Sequence, residues 1–266
     1  MKKFAAILIA AGLTLGLGAC GGPEPSAAPE TTPAPAPSPT PAPELPDPAL
    51  SSQTFSKTFT AEDGTTVLIV NYTLPDFTDG EHVPALKEIS SWYAQEGQAL
   101  LEEAEGAFQA ALGDYEVSQA AGLEFGAVFE EMTFEVSLET PQVISFSRTF
   151  YANRVGAAHP NVFRLGEQFD LTTGERLTFT QCVTDPSAAA GEARAAVLQS
   201  EAMQALFAGG VDRHTAEGLF QPENFVLTPE GFRFWFQSGE LGPGAPVEID
   251  IPYSALEEYL VPWIAD

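Results

Sequence analysis

The sequence predicts an α+β fold: a mostly antiparallel, meandering sheet, with one long N-terminal amphipathic helix and two shorter helices packed on it. Three observations carry this. From Val143 to Phe179 the chain alternates apolar and polar residues at period two, breaks at Gly156-Ala157-Ala158-His159-Pro160, resumes, and turns at Thr172-Thr173-Gly174. Between Val83 and Leu112, Leu86, Ile89, Tyr93, Leu100, Ala104, Phe108 and Ala111 recur at spacings of three and four. Elsewhere, strand-like segments outnumber helical ones and do not alternate with them strictly.

In chain order, residues 1–20 read as an export signal: Met1-Lys2-Lys3 is positive, Phe4 to Leu15 is apolar, and small residues follow. The apolar run is too short for a membrane-spanning helix, which needs about 20 residues. The ending Leu17-Gly18-Ala19-Cys20 resembles the lipobox of bacterial lipoproteins. That implies lipidation of Cys20, anchoring to the bacterial cell membrane through this lipid, and an extracytoplasmic location. Residues 21–51 are rich in Pro, Ala, Thr and Ser, with too few apolar side chains to offset the entropy of ordering. They read as a disordered tether, spanning up to roughly 90 Å if fully extended at ~3.1 Å per residue.

Residues 52–125 read as an N-terminal α+β subdomain and 126–266 as a C-terminal α+β domain. Thr54 to Thr60 and Thr66 to Leu74 form a hairpin about Ala61-Glu62-Asp63-Gly64. Val67-Leu68-Ile69-Val70 is apolar on both faces, which places that strand inside the sheet. Pro75 to Glu81 breaks the pattern and leads into the long helix, where Gly97 and Gly106 each cost about 1 kcal/mol relative to Ala. The Trp92, Tyr93 and Phe108 face is read as core rather than as a ligand platform.

Phe129 to Glu139 and Gln142 to Tyr151 are strands, as are Val162 to Phe169 and Arg176 to Phe179. Asp185-Pro186 is a helix entry, with an acceptor at the cap and no N–H at the first helical position; the helix stops at Gly209-Gly210. Asn224 to Leu227 and Phe232 to Phe236 flank a turn, Val247 to Ile251 is a last strand, and a terminal helix is expected over Leu256 to Leu260.

The chain carries 11 Lys and Arg against 37 Asp and Glu, a formal net charge of -26. This excludes nucleic acid and anionic wall polymer as direct ligands, since both need basic patches, and favours cationic partners. With Cys20 lipidated, Cys182 is the remaining thiol and no internal disulfide forms. Of three histidines, His82 is expected at the surface, and His214 with Glu217 lacks a third metal ligand. His159, with Asp170 as an orienting carboxylate, is the catalytic candidate; its other reading is a hydrogen-bonding post for the loop. No nucleophile elbow or phosphate loop is present, and no metal or cofactor is expected.

Tyr151, Gly156-Ala157-Ala158-His159-Pro160-Asn161, Phe169-Asp170-Leu171 with Gly174, Asn224-Phe225 with Thr228 and Gly231, and Ile251-Pro252-Tyr253-Ser254-Ala255-Leu256 form an ordered set. It resembles the extracytoplasmic domain of RsiV, the lysozyme-sensing anti-sigma factor. It also resembles the domain preceding the catalytic part of PdaC-type peptidoglycan deacetylases. Ala157 stands where that family's loop usually has a second glycine. Neither sigma-factor sequestration nor deacetylation is carried over. The resemblance implies a non-catalytic sensing or binding module for lysozyme-type proteins or wall glycan, with Tyr151, Gly156, His159, Pro160 and Asn161 as its candidate binding loop; the chain is expected to be monomeric. The alternative is a wall-active hydrolase or deacetylase using His159 and neighbouring carboxylates.

Overall fold

A computed structural model of the chain describes residues 49–78, 80–154 and 160–265. The expected export signal, Cys20, the tether up to residue 48, Gly156 and His159 lie outside the described residues. Leu45 to Asp266 form one compact unit.

Strands β1 (Leu50–Thr60) and β2 (Thr66–Phe77) pair antiparallel, with Leu50 opposite Phe77. Ordered backbone therefore begins at or before Leu50, ahead of the expected tether end at residue 51. Helix α1 (Pro84–Ala121) leads to β3 (Val128–Glu139), β4 (Val143–Arg154), β5 (Asn161–Asp170) and the short β6 (Arg176–Leu177). The six strands form one sheet in the order β1-β2-β3-β4-β5-β6. The sheet is antiparallel except that β2 and β3 pair parallel, in keeping with the expected mostly antiparallel meander. The reason for the parallel pair is α1: a 38-residue helix is about 57 Å long at 1.5 Å per residue, and it carries the chain back along the sheet so that β3 starts at the same end as β2.

The remaining strands, β7 (Phe225–Leu227), β8 (Gly231–Phe236) and β9 (Val247–Pro252), form a separate antiparallel sheet. Around it lie α2 (Phe179–Cys182), α3 (Pro186–Gln199), α4 (Glu201–Ala208), α5 (Arg213–Leu219) and α6 (Pro262–Ala265). Two shorter helices were expected here. The stretch read as one helix is divided at Ser200, whose extended backbone (φ -58, ψ 151) ends α3 and whose hydroxyl accepts from Met203 N to start α4. The expected Leu256 to Leu260 helix is replaced by 3-10 turns at Tyr253–Ala255 and Glu257–Tyr259. Besides its own turn bonds (Leu256 N to Tyr253 O, Tyr259 N to Leu256 O), the segment is tied to the chain after α2: Tyr259 O accepts from Thr184 N at 2.7 Å, and Val261 N donates to Cys182 O at 3.2 Å.

α1 covers one face of the six-stranded sheet, burying Leu86, Ile89, Tyr93, Ala104 and Ala111 against Leu68, Val70, Tyr72, Phe146 and Phe169. Tyr93 meets Trp92, Phe146 and Phe169 with ring centroids 4.8–5.7 Å apart, and Phe108 stacks on Phe59, so this aromatic face is core. Gly97 earns its place in the helix by accommodating the Phe55 ring, which a Cβ would strike. α1 ends at Gly122, whose left-handed φ of 66 lets its N–H reach Gln119 O.

The three-stranded sheet packs on the opposite face of the six-stranded one. Gln237 spans the two sheets, accepting from Arg164 N (2.9 Å) and donating to Arg164 O (2.7 Å). Ser145 Oγ accepts from Leu227 N at 3.1 Å, and Gln168 Nε2 donates to Phe225 O at 2.9 Å. One face of β8, Phe232, Phe234 and Phe236, enters the core shared with α2 and α3; on the other, Trp235 lies over Gly166 and Arg233 pairs with Asp250 at the surface. The subdomain boundary expected near residue 125 falls between hydrogen-bonded β2 and β3. The two cores change over near β6, since one draws on residues 59–171 and the other mainly on residues 177–260.

Gly166 is the point of closest approach. A Cβ there would run into the Phe225 carbonyl oxygen and lie 2.7 Å from the Trp235 ring. Gly166→Ala should lower the free energy of unfolding by about 1–3 kcal/mol through forced separation of the sheets, read by urea denaturation. An unchanged midpoint would mean that the sheets are not packed this closely.

Candidate functional site

Tyr151 lies near the end of β4, opposite Val162 on β5 and Glu131 on β3. Its hydroxyl accepts from Asn153 Nδ2 at 3.0 Å. Asn161 starts β5 and is exposed, as is Pro160 before it. The fold thus brings Tyr151, Pro160 and Asn161 together at one end of the long sheet.

Asp170 is not among them. It closes β5 at the far end, nine residues from Asn161, or about 30 Å along a strand. Its carboxylate accepts from Thr172 N (2.7 Å) and Thr173 N (3.2 Å), which makes it the pin of the β5–β6 turn. Other residues of the ordered set serve the same purpose. Thr228 Oγ1 accepts from Gly231 N and donates to Gly231 O in the β7–β8 turn, and Tyr253 donates its hydroxyl proton to Thr228 O at 2.8 Å. Gly174 (φ 79) lies against the Ala85 backbone of α1. These positions mark the fold's corners rather than a catalytic centre.

The Tyr151 end has a distinct surface chemistry. Among the described residues five large apolar side chains are exposed, and four of them, Val117, Leu123, Phe129 and Phe163, belong to the elements that meet there. Val117 and Leu123 lie at the end of α1, which an Arg154–Asp114 ion pair ties to β4, with Arg154 also over the Phe125 ring. Phe129 and Phe163 lie at the starts of β3 and β5. Exposed Glu116, Glu124 and Glu131 flank them. The register sets Phe129 on the face that carries Tyr151 and Glu131, and Phe163, opposite Phe150, on the face that α1 covers; exposed apolar groups beside amides and carboxylates are groups for recognition.

Sequence reasoning singled out neither member of the molecule's buried ion pair. Arg148, 1% exposed, bonds Glu167, 3% exposed, through both Nε (3.0 Å) and NH2 (2.6 Å), and reaches Glu96 of α1 at 3.1 Å. Its NH1 points at Met132 Sδ, and its guanidinium lies 5.7 Å from the centre of the Tyr93 ring. Burial works against the guanidinium's charge, but Glu167, with smaller help from Glu96, holds its pKa above the ordinary value. Burial, then Glu167, likewise pushes the Tyr93 hydroxyl well up. A legible signal existed: Arg148 and Glu167 occupy the apolar half of the alternation on adjacent strands, after Phe146 and before Phe169. Every partner is internal to the fold, and of the three charged groups Glu96 alone reaches solvent, so the cluster is structural.

The other candidates resolve simply. His82 and His214 are exposed, and Glu217 faces Arg194 at 4.0 Å. Cys182 is fully buried, and burial pushes its thiol up to about 12. Unfolding therefore exposes a thiol that ionises at its ordinary 9.0, so this group favours the unfolded state increasingly as pH rises from about 9 towards 12.

Arg148→Met should destabilise by about 3–5 kcal/mol, because it leaves the Glu167 charge buried and unpaired. Arg148→Met with Glu167→Leu should lose much less, and thermal melts of both variants test this. In residues 45–266, Cys182 should resist a thiol reagent at pH 8 until denaturant is added; labelling of the native domain would contradict its burial.

No family model matches the chain, and no curated protein does. Among solved structures, the chain is similar to a DUF3298 family member from Bacteroides fragilis, with 18% identity, a TM-score of 0.58, and coverage of 83% of this chain and 97% of that one. It is also similar to a DUF3298 family protein from Pseudomonas aeruginosa, with 19% identity, a TM-score of 0.52 and coverage of 83% and 97%. At these identities the likeness is one of fold, and it gives the chain the α+β architecture seen in DUF3298 proteins.

Proposed function

We propose that this chain is an extracytoplasmic lipoprotein, held to the membrane through a lipid on Cys20, whose folded domain is a non-catalytic binding or sensing module. The surface at the Tyr151 end of the six-stranded sheet docks a cationic protein of the lysozyme type. The observation that carries this reading is exposed Phe129 on the same sheet face as Tyr151, beside exposed Glu131, at that end of the sheet. Apolar area supplies affinity at such a surface, while the net charge of -26 steers a positive partner towards it. The sheet-end location of Tyr151 and Asn161 agrees with the binding loop that the RsiV-like resemblance implies. No observation favours the hydrolase alternative, since Asp170 serves the β5–β6 turn.

The compact unit of residues 45–266 should bind lysozyme one to one by calorimetry. Binding should persist at ~0.15 M salt, where the screening length is about 8 Å and long-range attraction alone has faded. Phe129→Ala and Tyr151→Ala should each weaken it roughly tenfold, or about 1.4 kcal/mol. Their melting temperatures should stay near that of the parent. Binding that disappears with salt, or that neither substitution affects, would remove the assignment of this surface.

A further inference from the structure

At the other end of β4, away from Tyr151, lies a cleft of about 540 Å³. It is lined by Leu138 and Val143 and by the rings of Tyr253, Trp263, Pro141, Pro229 and Pro262. Gln142, exposed, stands at its mouth. The volume is that of a small-molecule site, as is the mixture of apolar walls and few polar groups.

Among the described residues no charged side chain lines this cleft, in a chain with 37 acidic residues. An ionic ligand would find no counter-charge there, and a phosphate or carboxylate would face a strongly negative molecule. The ligand is therefore neutral. Nor is the cleft built to add a peptide strand through main-chain bonds. Three of its residues are prolines, without N–H groups, and the carbonyls of Gln142, Val143 and Thr228 already accept from Leu171 N, Thr140 N and the Tyr253 hydroxyl. Thr140 and Thr228 hydroxyls are likewise committed to their turns.

What the cleft offers is flat ring surface and a few directional groups. The Tyr253 ring is held in place by its bond to Thr228 O, so it is a preformed platform. The π-face of an aromatic ring is electronegative and attracts polarised C–H groups, such as those on the face of a pyranose. The Gln142 amide can both donate and accept, and the Trp263 indole N–H can donate, as sugar hydroxyls and acetamido groups require. We infer that this cleft binds one or two units of an uncharged, acetamido-bearing glycan, with Tyr253 and Trp263 as stacking surfaces and Gln142 as the polar selector.

This site lies at the opposite end of β4 from the proposed protein-docking surface, so either assignment can fail while the other stands. The probe is a neutral N-acetylglucosamine tetramer, titrated into residues 45–266 and followed by the Trp263 indole resonance and by calorimetry. Millimolar or tighter binding is expected. Trp263→Ala should abolish it, and Gln142→Ala should weaken it roughly tenfold while leaving the fold and lysozyme binding unchanged. A synthetic polyproline peptide forms the second arm, because such helices also dock on aromatic grooves. Binding of the peptide in place of the sugar, sugar binding indifferent to Trp263→Ala, or no shift with either probe would overturn the assignment.

Discussion

Arg148 and Glu167 are the charged side chains that the described structure removes almost wholly from water, and the packing around them follows from that fact. An isolated charge in such surroundings would be destabilising by several kcal/mol, so the pair tolerates little rearrangement. It sets the register of β4 against β5, since a slip of one residue would turn either side chain to the opposite face. Through Glu96 it also fixes how α1 lies on the sheet, and through Met132 it involves β3. One guanidinium thus links three strands of the sheet to the helix that covers them.

The second constraint is the close contact between the two sheets. Gly166 lets the Phe225 backbone and the Trp235 ring approach, while Gln237, Ser145 and Gln168 satisfy polar groups that the approach would otherwise strand. These side chains do the work of backbone ladders between sheets whose strands do not pair with each other. Because β4 and β5 are held on both faces, their ends are rigid points of attachment. The Tyr151 surface stands at one end of β4 and the Tyr253–Trp263 cleft at the other, each on a strand fixed by internal packing.

The two surfaces differ in physical character. At the Tyr151 end, exposed aromatic and aliphatic side chains sit among carboxylates on open ground, which suits a large, positively charged partner. In the cleft, rigid rings enclose a small volume with no charge, which suits a compact neutral ligand.

The alternation from Val143 to Phe179, the Asp185-Pro186 helix entry and the hairpin at Ala61 to Gly64 were legible in the sequence because each depends on local geometry: strand period, capping and turn preference. The acidic balance was legible for the same reason, being a sum over residues. The parallel pairing of β2 with β3, the meeting of Phe129 with Tyr151 on one face, and the cleft between Pro141 and Trp263 were not. Each joins residues distant along the chain, and no local preference encodes which distant segments meet. The sequence by itself determined most of the strands, the long helix and the acidic charge balance. The tertiary structure decided that Asp170 belongs to a turn, that Arg148 has a buried partner and that Tyr253 faces a cleft. Burial and partnership are properties of packed neighbours, which exist only once the chain has folded.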